Sequence, residues 1–155
     1  MSVPCKDTTW GDIIFEGKMY RIFSVPLNEE NRKKISKYKQ KSGWITFSPW
    51  LDNNYLWRIK NDKLYLQEVK LFGFKGSQIT NIFGVKELFA SWQNKDIEVL
   101  VSKESFDVAG QRRMKLVKMK IKVLRFENGK LISVEDTIKE IKMRKSLVEI
   151  GLVLE

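Results

Sequence analysis

The sequence predicts a mainly β protein of the α+β class: an antiparallel sheet built from successive β-hairpins, with one helix near residues 28–41. The strongest observation is the stretch 55–72, YLWRIKNDKLYLQEVKLF, where two alternating apolar and polar runs flank Asn61-Asp62. Both of these residues tolerate the positive φ that a tight hairpin turn requires. A second pair, Asn128-Gly129, also lies between alternating runs, and residues 28–41 alone change to a helical period.

The first predicted elements are a hairpin and the helix. Residues 11–25 alternate on both sides of Gly17, which supplies the turn. Asn28 suits the N-terminal cap of the helix, acids follow in the first turn, and lysines lie near its end, as the helix dipole favours. Gly43 is expected to end this helix.

The middle of the chain predicts further strands. Residues 44–51, WITFSPWL, predict an apolar strand that Pro49 places at an edge or a bend. In the central hairpin, Tyr55, Trp57 and Ile59 are expected on one face, and Leu56, Arg58 and Lys60 on the other.

The segment after this hairpin is less regular. Residues 73–81 predict a loop, because they contain two glycines and a serine. Residues 82–92 fit a helical stripe as well as a strand, and we favour a strand over residues 86–92. Residues 96–102, DIEVLVS, predict a strand.

A third hairpin is expected near the end of the chain. Residues 104–111 are polar and predict a mobile loop. Residues 115–126 and 130–138 then flank Asn128-Gly129, a pair typical of the type I′ turn. The tail after residue 138 is expected either to pair as a last strand or to cap the sheet.

Length and composition predict one domain over residues 1–155, since single domains commonly hold roughly 100–150 residues. Hydrophobic residues make up 43% of the chain, which is enough for a core. With a single cysteine no intrachain disulfide can form. No apolar run approaches the ~20 residues that span a bilayer, and no signal peptide is recognisable. We therefore expect a cytoplasmic protein without a membrane partner.

The absence of histidine excludes several kinds of active site. No Ser-His-Asp or Cys-His arrangement and no imidazole ligand is possible, and one cysteine does not make a zinc site. No glycine-rich phosphate-binding motif is present. We expect a protein that is not an enzyme and that needs no cofactor or metal.

Two segments account for the net positive charge. The formal net charge is +10, from 29 basic and 19 acidic residues. The first basic segment, residues 31–41, and the second, residues 112–125, contain no acid. Their basic residues are Arg32, Lys33, Lys34, Lys37, Lys39 and Lys41 in the first, and Arg112, Arg113, Lys115, Lys118, Lys120, Lys122 and Arg125 in the second. The remainder of the chain is near neutral.

The second basic segment predicts a strand with two different faces. Lys118, Lys120 and Lys122 alternate with apolar residues, so the lysines share one face at a spacing of roughly 7 Å. One interpretation is a surface for an anionic partner, either nucleic acid or an acidic protein. The other is an edge strand that its lysines protect from aggregation.

Aromatic residues also allow two interpretations. Trp44, Phe47, Trp50, Tyr55 and Trp57 would suit a base-stacking platform. A core role is favoured, because Tyr55 and Trp57 continue the alternation of a strand. No standard RNA-binding motif is present.

Three pieces of the sequence occur in a characteristic order. They are Tyr-Leu-Trp-Arg-Ile at residues 55–59 with Asp-Lys-Leu-Tyr-Leu at 62–66, a Leu-Phe pair at 71–72 or 88–89, and Ala-Ser-Trp at 90–92 before a strand. Over about residues 10–102 this order resembles small bacterial immunity proteins of contact-dependent growth inhibition and other polymorphic toxin systems. The resemblance implies a β-rich, non-enzymatic domain that binds a toxin and occludes its active site. It assigns no site residues, since the matching letters belong to the framework.

The predicted function is therefore an immunity protein that neutralises a cognate bacterial toxin, expected to be a nuclease domain. The region after residue 102 departs from the resemblance, and variable elements on a shared framework are what specific recognition requires. The predicted partner-binding residues are Arg112, Arg113, Lys118, Lys120 and Lys122. Alternatives are a basic RNA-binding accessory protein, with nucleic acid as its partner, and a structural subunit of a larger assembly.

Overall fold

A computed structural model describes residues 10–41, 53–71 and 73–149 of the chain. These residues form eight strands and three helices. The strands are β1 (Trp10–Phe15), β2 (Lys18–Ile22), β3 (Asn54–Lys60), β4 (Lys63–Lys70), β5 (Leu88–Phe89), β6 (Ile97–Val108), β7 (Gln111–Glu127) and β8 (Lys130–Arg144). The helices are α1 (Glu29–Lys41), α2 (Ile79–Phe83) and α3 (Lys145–Glu149). The predicted class, mainly β with one main helix, is confirmed.

The described strands form one sheet in the order β3-β1-β2-β6-β7-β8-β4-β5, and β3 also pairs with β4. Because of this additional pairing, seven of them form a closed ring, to which β5 is added beside β4. The pairs are antiparallel except for β1–β3. The β4–β8 junction has a single register pair, Lys63 with Lys130. Backbone hydrogen bonds from Leu64 to Gly129 (2.9 Å) and from Leu131 to Asp62 (2.7 Å) support it.

The interior of the ring is the main core. Trp57 and its neighbours Ile13, Leu64 and Leu66 are fully buried there. Burial of one such aliphatic side chain contributes about 1.5–3 kcal/mol. The alternation predicted for β3 is confirmed, and so is the core role of Trp57.

The predicted hairpin turns are also confirmed. Asn61 and Asp62 have φ of 50° and 60°, and Asn128 and Gly129 have φ of 50° and 81°. Positive φ at both central residues is the geometry of a type I′ turn, whose twist matches that of the flanking strands. Gly17, in the turn between β1 and β2, has φ of 75°.

Helix α1 begins one residue after the predicted cap. The backbone N–H of Asn31 donates to Oδ1 of Asn28 at 2.9 Å, which satisfies one of the free donors at the helix start. Ile35 packs into the ring core. Lys39 is only 3% exposed, and its Nζ donates to Oδ1 of Asn53 at 3.1 Å.

Three segment predictions need correction. The predicted loop at residues 73–81 ends early, because α2 begins at Ile79. Residues 104–111 are not a loop: Glu104–Val108 continue β6, and only Ala109 and Gly110 form the turn to β7. The polar side chains are tolerated in this strand because all of them point to solvent. The prediction for residues 86–92 holds only for Leu88 and Phe89, while Ile82 and Phe83 end α2.

Some other predictions concern residues outside the described ranges. The strand at residues 44–51 with Pro49, the helix stop at Gly43 and the lone Cys5 all lie there. The tail continues β8 as far as Arg144 and then forms α3.

Strands β6, β7 and β8 extend beyond the ring as a three-stranded arm. We define the arm as residues 101–108, 111–123 and 135–144. Pairing between β2 and β6 involves only Leu100 and Val99 on β6, and the junction of β8 with β4 is at Lys130. The part of β6 that belongs to the arm has eight residues, which at about 3.3 Å each span roughly 26 Å.

The buried side of β7 changes where the arm begins. Leu124 and Phe126 face the ring core, whereas Val117, Met119 and Ile121 are buried in a second apolar cluster. Partly buried side chains packed against this second cluster are Phe23, Leu100, Val123, Ile141 and Val148. The arm therefore has a core of its own, on the face opposite to the lysines.

Candidate interaction surface on the arm

The lysines of β7 share one exposed face, as predicted. Lys118 and Lys120 are exposed and Lys122 is half-buried, while the alternating Met119 and Ile121 are buried. The interpretation of an edge strand is wrong, because β7 lies between β6 and β8 along the length of the arm. A central strand has no free edge to protect, so its lysines need another explanation.

Register shows which side chains join the lysines on this face. Residues directly opposite each other on neighbouring strands point to the same side of a sheet. Lys122 is opposite Asp136, Lys120 is opposite Ser102 and Ile138, and Lys118 is opposite Glu104 and Glu140. We call this set of side chains the lysine face.

Two of the three lysines form ion pairs across the strands. The Nζ of Lys122 lies 3.0 Å from Oδ1 of Asp136, and the Nζ of Lys118 lies 4.0 Å from Oε1 of Glu140. The hydrogen bond to Asp136 raises the pKa of Lys122 above its ordinary value. These acids are distant in sequence from the second basic segment. The folded surface around the lysines is therefore less positively charged than the sequence of that segment indicates.

Lys120 differs from its two neighbours. Its cross-strand neighbours are a serine and an isoleucine, and it forms no ion pair with any residue of the described ranges. Lys120 is therefore the cation of the lysine face that has an open position for an anion.

Exposed apolar side chains surround this position. Ile138 is 54% exposed and Val101 is 43% exposed, and both line a groove of about 370 Å³ together with Lys120, Lys122 and Asp136. Val101 is the extra residue of a β-bulge, since Leu100 pairs with Ile121 and Ser102 pairs with Lys120. Farther along the arm, Phe106 is 45% exposed.

The two arginines of the predicted site lie at the far end of the arm. Arg112 and Arg113 follow the β6–β7 turn, are exposed, and form no ion pair within the part of the chain that the structure describes. Nearby, Lys115 is 2.7 Å from Asp107, and this hydrogen bond lowers the pKa of Asp107. Lys118 is five positions after Arg113, about 16 Å along the strand. The structure thus groups the three lysines and places the arginines at the tip.

The charge of the arm is still strongly positive. Its ten basic and five acidic residues give a net charge of +5, half of the formal charge of the whole chain. The basic residues are Lys103, Arg112, Arg113, Lys115, Lys118, Lys120, Lys122, Lys139, Lys142 and Arg144. The acidic residues are Glu104, Asp107, Glu135, Asp136 and Glu140.

The first basic segment belongs to a different part of the fold. It forms α1, which packs through Ile35 on the ring core rather than on the arm cluster. Lys39 is buried, and the Nζ of Lys34 lies 3.9 Å from Glu30. Its exposed cations include Lys33 and Lys37. The helix and the arm therefore do not share a core.

A second concavity lies between the β2–α1 connection and the segment before β6. Its volume is about 510 Å³, and it is lined by residues 24–28, Arg32 and residues 92–97. The indole N–H of Trp92 donates to the carbonyl of Pro26 at 2.8 Å, and Arg125 lies 3.4 Å from Asp96. The first contact joins the two segments, and the second ties the segment before β6 to β7, so both serve the packing of the fold.

Two acids outside the lysine face form ion pairs with lysines. Glu87 pairs with Lys60 at 2.7 Å, and Glu98 pairs with Lys139. Among the described residues, no group of three or more His, Cys, Asp or Glu side chains is arranged to hold a metal ion. No helix in the described ranges is long and apolar enough to cross a membrane.

Sequence reasoning missed the apolar part of the surface. The sequence predicts a strand at Ile138, but alternation does not indicate that its side chain is exposed, because both faces of β8 carry charges. Val101 is exposed through a bulge, which leaves no signal in the sequence. Comparison with known proteins returned no match, since no family model, no curated protein and no solved structure matches this chain. The resemblance to immunity proteins therefore stays a prediction.

Proposed function

We propose that this protein binds and neutralises a cognate bacterial toxin domain, and that the arm covers the active site of that toxin. The observation that carries the proposal is the lysine face, where exposed apolar side chains of Val101 and Ile138 lie beside Lys120. Apolar side chains at the centre of a surface with a charged surround are typical of protein interfaces. The resemblance of residues 10–102 to immunity proteins supports the same function.

The mixed charge of the lysine face favours a protein partner over nucleic acid. Lys118 and Lys122 are already paired with Glu140 and Asp136. A phosphate backbone would contact these carboxylates as well as the lysines. Repulsion by the carboxylates would then offset much of its attraction to the lysines. A protein surface can place a single carboxylate against Lys120 and apolar side chains against its neighbours.

The predicted site residues take two roles in this proposal. Arg112 and Arg113 at the tip, together with the net charge of the arm, attract an acidic patch on the toxin and raise the association rate. The lysine face, with its apolar side chains, determines how slowly the complex dissociates. The expected toxin is a nuclease domain with an acidic surface next to its active site.

The test compares two charge-reversed baits with the unmodified protein. The arm variant is Lys118→Glu with Lys120→Glu, and the matched control on α1 is Lys33→Glu with Lys37→Glu, which changes the net charge equally. Each tagged protein is incubated with lysate of its native cells, with and without RNase, and the captured proteins are quantified by mass spectrometry. We expect the unmodified protein and the control to capture one stoichiometric partner, both with and without RNase. The arm variant should capture at least about tenfold less of this partner.

The captured partner then decides whether the function is neutralisation. Its expression alone should arrest growth, and co-expression of the unmodified protein should restore it. With purified partner, the arm variant should also show a flatter salt dependence of binding. Equal affinity of the unmodified protein and the arm variant would exclude this interface, and a partner that is harmless when expressed would exclude neutralisation.

The tip of the arm favours a second candidate function, RNA binding. Arg112 and Arg113 form no ion pair within the described residues, so they are free to contact phosphates. Each phosphate neutralised on a single strand lowers log K by about 0.7 per unit of log salt concentration. Binding of a fluorescent RNA oligomer that weakens steeply with salt, and that Arg112→Gln with Arg113→Gln reduces, would support this function. Binding with a flat salt response would exclude it.

A further inference from the structure

We propose that the groove around Lys120 binds an acidic side chain of the protein partner that is flanked, in an extended segment, by large apolar side chains. This inference rests on the proposed function and names the chemistry of the partner at that surface. The groove holds about 370 Å³, enough for a short side-chain cluster, and it is open to solvent on the lysine face.

The position of the anion follows from the register of three strands. Each lysine of the face has two cross-strand neighbours, and for Lys118 and Lys122 one of them is a carboxylate at ion-pairing distance. For Lys120 they are Ser102 and Ile138, which supply no charge. A carboxylate from a partner would complete the row, and the hydroxyl of Ser102 is placed on the same face to donate a hydrogen bond to it.

The apolar flanks follow from what lies on either side of Lys120. Val101 and Ile138 are both about half exposed and belong to different outer strands, so they border the groove from opposite sides. A partner segment with apolar residues next to its acid would bury both of them. This burial excludes water from the new ion pair, which strengthens it.

The charges around the groove favour a single carboxylate over a polyanion. Glu104 and Glu140 lie opposite Lys118, and Asp136 lies within the groove beside Lys122. A run of phosphates would be repelled by these three acids at the same time. One carboxylate at Lys120 stays closest to the lysine of this face that forms no ion pair among the described residues.

The test uses a phage-displayed library of random linear peptides with the full chain as bait. Peptides are selected on the unmodified protein after depletion on Lys120→Gln. We expect enriched peptides to share an Asp or Glu next to Leu, Ile, Phe or Trp. No enrichment, or enriched peptides without an acid, would overturn the proposal.

One enriched peptide is then synthesised, and its affinity for matched variants is measured by titration calorimetry to locate its binding site. Lys120→Gln and Ile138→Thr should each weaken its binding by about tenfold or more. Lys103→Gln is the charge control, because Lys103 pairs with Met119 and lies on the opposite face. Ile132→Thr is the apolar control, because Ile132 is an exposed isoleucine of the same strand, outside the groove. Thermal unfolding of each variant checks that it folds.

The outcomes separate this inference from the proposed function. Equal losses for the control variants would overturn the groove as the binding site. If the captured toxin binds Lys120→Gln as well as the unmodified protein but loses affinity for Arg112→Gln with Arg113→Gln, the groove is wrong and the neutralising function stands. Loss of the toxin with Lys120→Gln alone supports both.

Discussion

At the scale of single residues, Gly129 determines how closely the β7–β8 turn approaches the ring. Its N–H donates to the carbonyl of Gln93 at 2.9 Å, and the N–H of Asn128 donates to Oδ1 of Asn94 at 2.7 Å. A Cβ at position 129 would lie 2.5 Å from the carbonyl oxygen of Ala90, a backbone atom that cannot move aside easily. Glycine is required here for space as well as for its positive φ.

Gly129→Ala should therefore destabilise the protein more than Gly110→Ala. Both glycines have positive φ, which costs an alanine about 1–2 kcal/mol, but a Cβ at Gly110 meets nothing within 4 Å. The contact with Ala90 adds about 1–3 kcal/mol for Gly129→Ala. Urea unfolding of both variants measures the difference, and equal losses would contradict the close approach.

The carboxylate of Glu87 makes the stability of the fold depend on pH in the acid range. Its carboxylate accepts hydrogen bonds from Lys60 (2.7 Å) and from the side-chain amide of Gln67 (3.3 Å), and the bond from Lys60 is the main cause that lowers its pKa. A lowered pKa in the folded state means that the carboxylate contributes stability above the ordinary glutamate value. This contribution is lost as the pH falls below about 4.5, through the lower folded value.

Glu87→Gln should remove that part of the acid dependence. At neutral pH the loss should stay below about 1 kcal/mol, because solvent screens this partly exposed pair. At pH 6 the variant should melt a few degrees below the unmodified protein, roughly the shift that a stability difference below about 1 kcal/mol produces. The two melting temperatures should converge as the pH is lowered to 3. A constant difference over this range would show that Glu87 stabilises the fold without its charge.

At the scale of elements, the sequence predicted the turns and the faces but not the register of β8. A regular ladder from the Asn128-Gly129 turn would place Lys122 opposite Glu135 and Lys118 opposite Lys139. In the structure Arg125 pairs with Ser133 and Phe126 pairs with Leu131, so Ile132 is an extra residue and every later pair shifts by one. The ion pair of Lys118 with Glu140 follows from this bulge.

Other elements escaped prediction because distant residues decide them. Residues 104–108 read as a polar loop, yet β7 supplies a full set of hydrogen-bond partners on one side and makes them a strand. The closure of the ring rests on contacts between segments far apart in sequence, such as Lys63 with Lys130. The lysines of the candidate site could be predicted, because their alternation is a local feature of the sequence. The exposure of Val101 and Ile138 could not, because it depends on tertiary packing.

At the scale of the whole molecule, the described residues contain two apolar clusters that share strands β6, β7 and β8. The ring cluster includes Leu64 and Trp57, and the arm cluster includes Val117, Met119 and Ile121. The ring closes on itself, so each of its seven strands has two neighbours. In the arm, β6 and β8 have β7 as their one neighbour among the described strands. We expect the arm to open at a lower free energy than the ring.

Hydrogen exchange followed by mass spectrometry on two core variants tests this division. Met119→Ala and Leu64→Ala both remove a fully buried side chain, and each should cost about 2–5 kcal/mol of the stability of its own cluster. Met119→Ala should accelerate exchange in residues 101–108 and 135–144 and leave β1 and β3 protected, because the ring core keeps its own contacts. Leu64→Ala should accelerate exchange in β1 and β3 as well as in the arm, because the arm strands begin in the ring. If Met119→Ala accelerated β1 and β3 equally, the two clusters would unfold as one unit. A partner that binds the lysine face would then stabilise the whole fold rather than the arm alone.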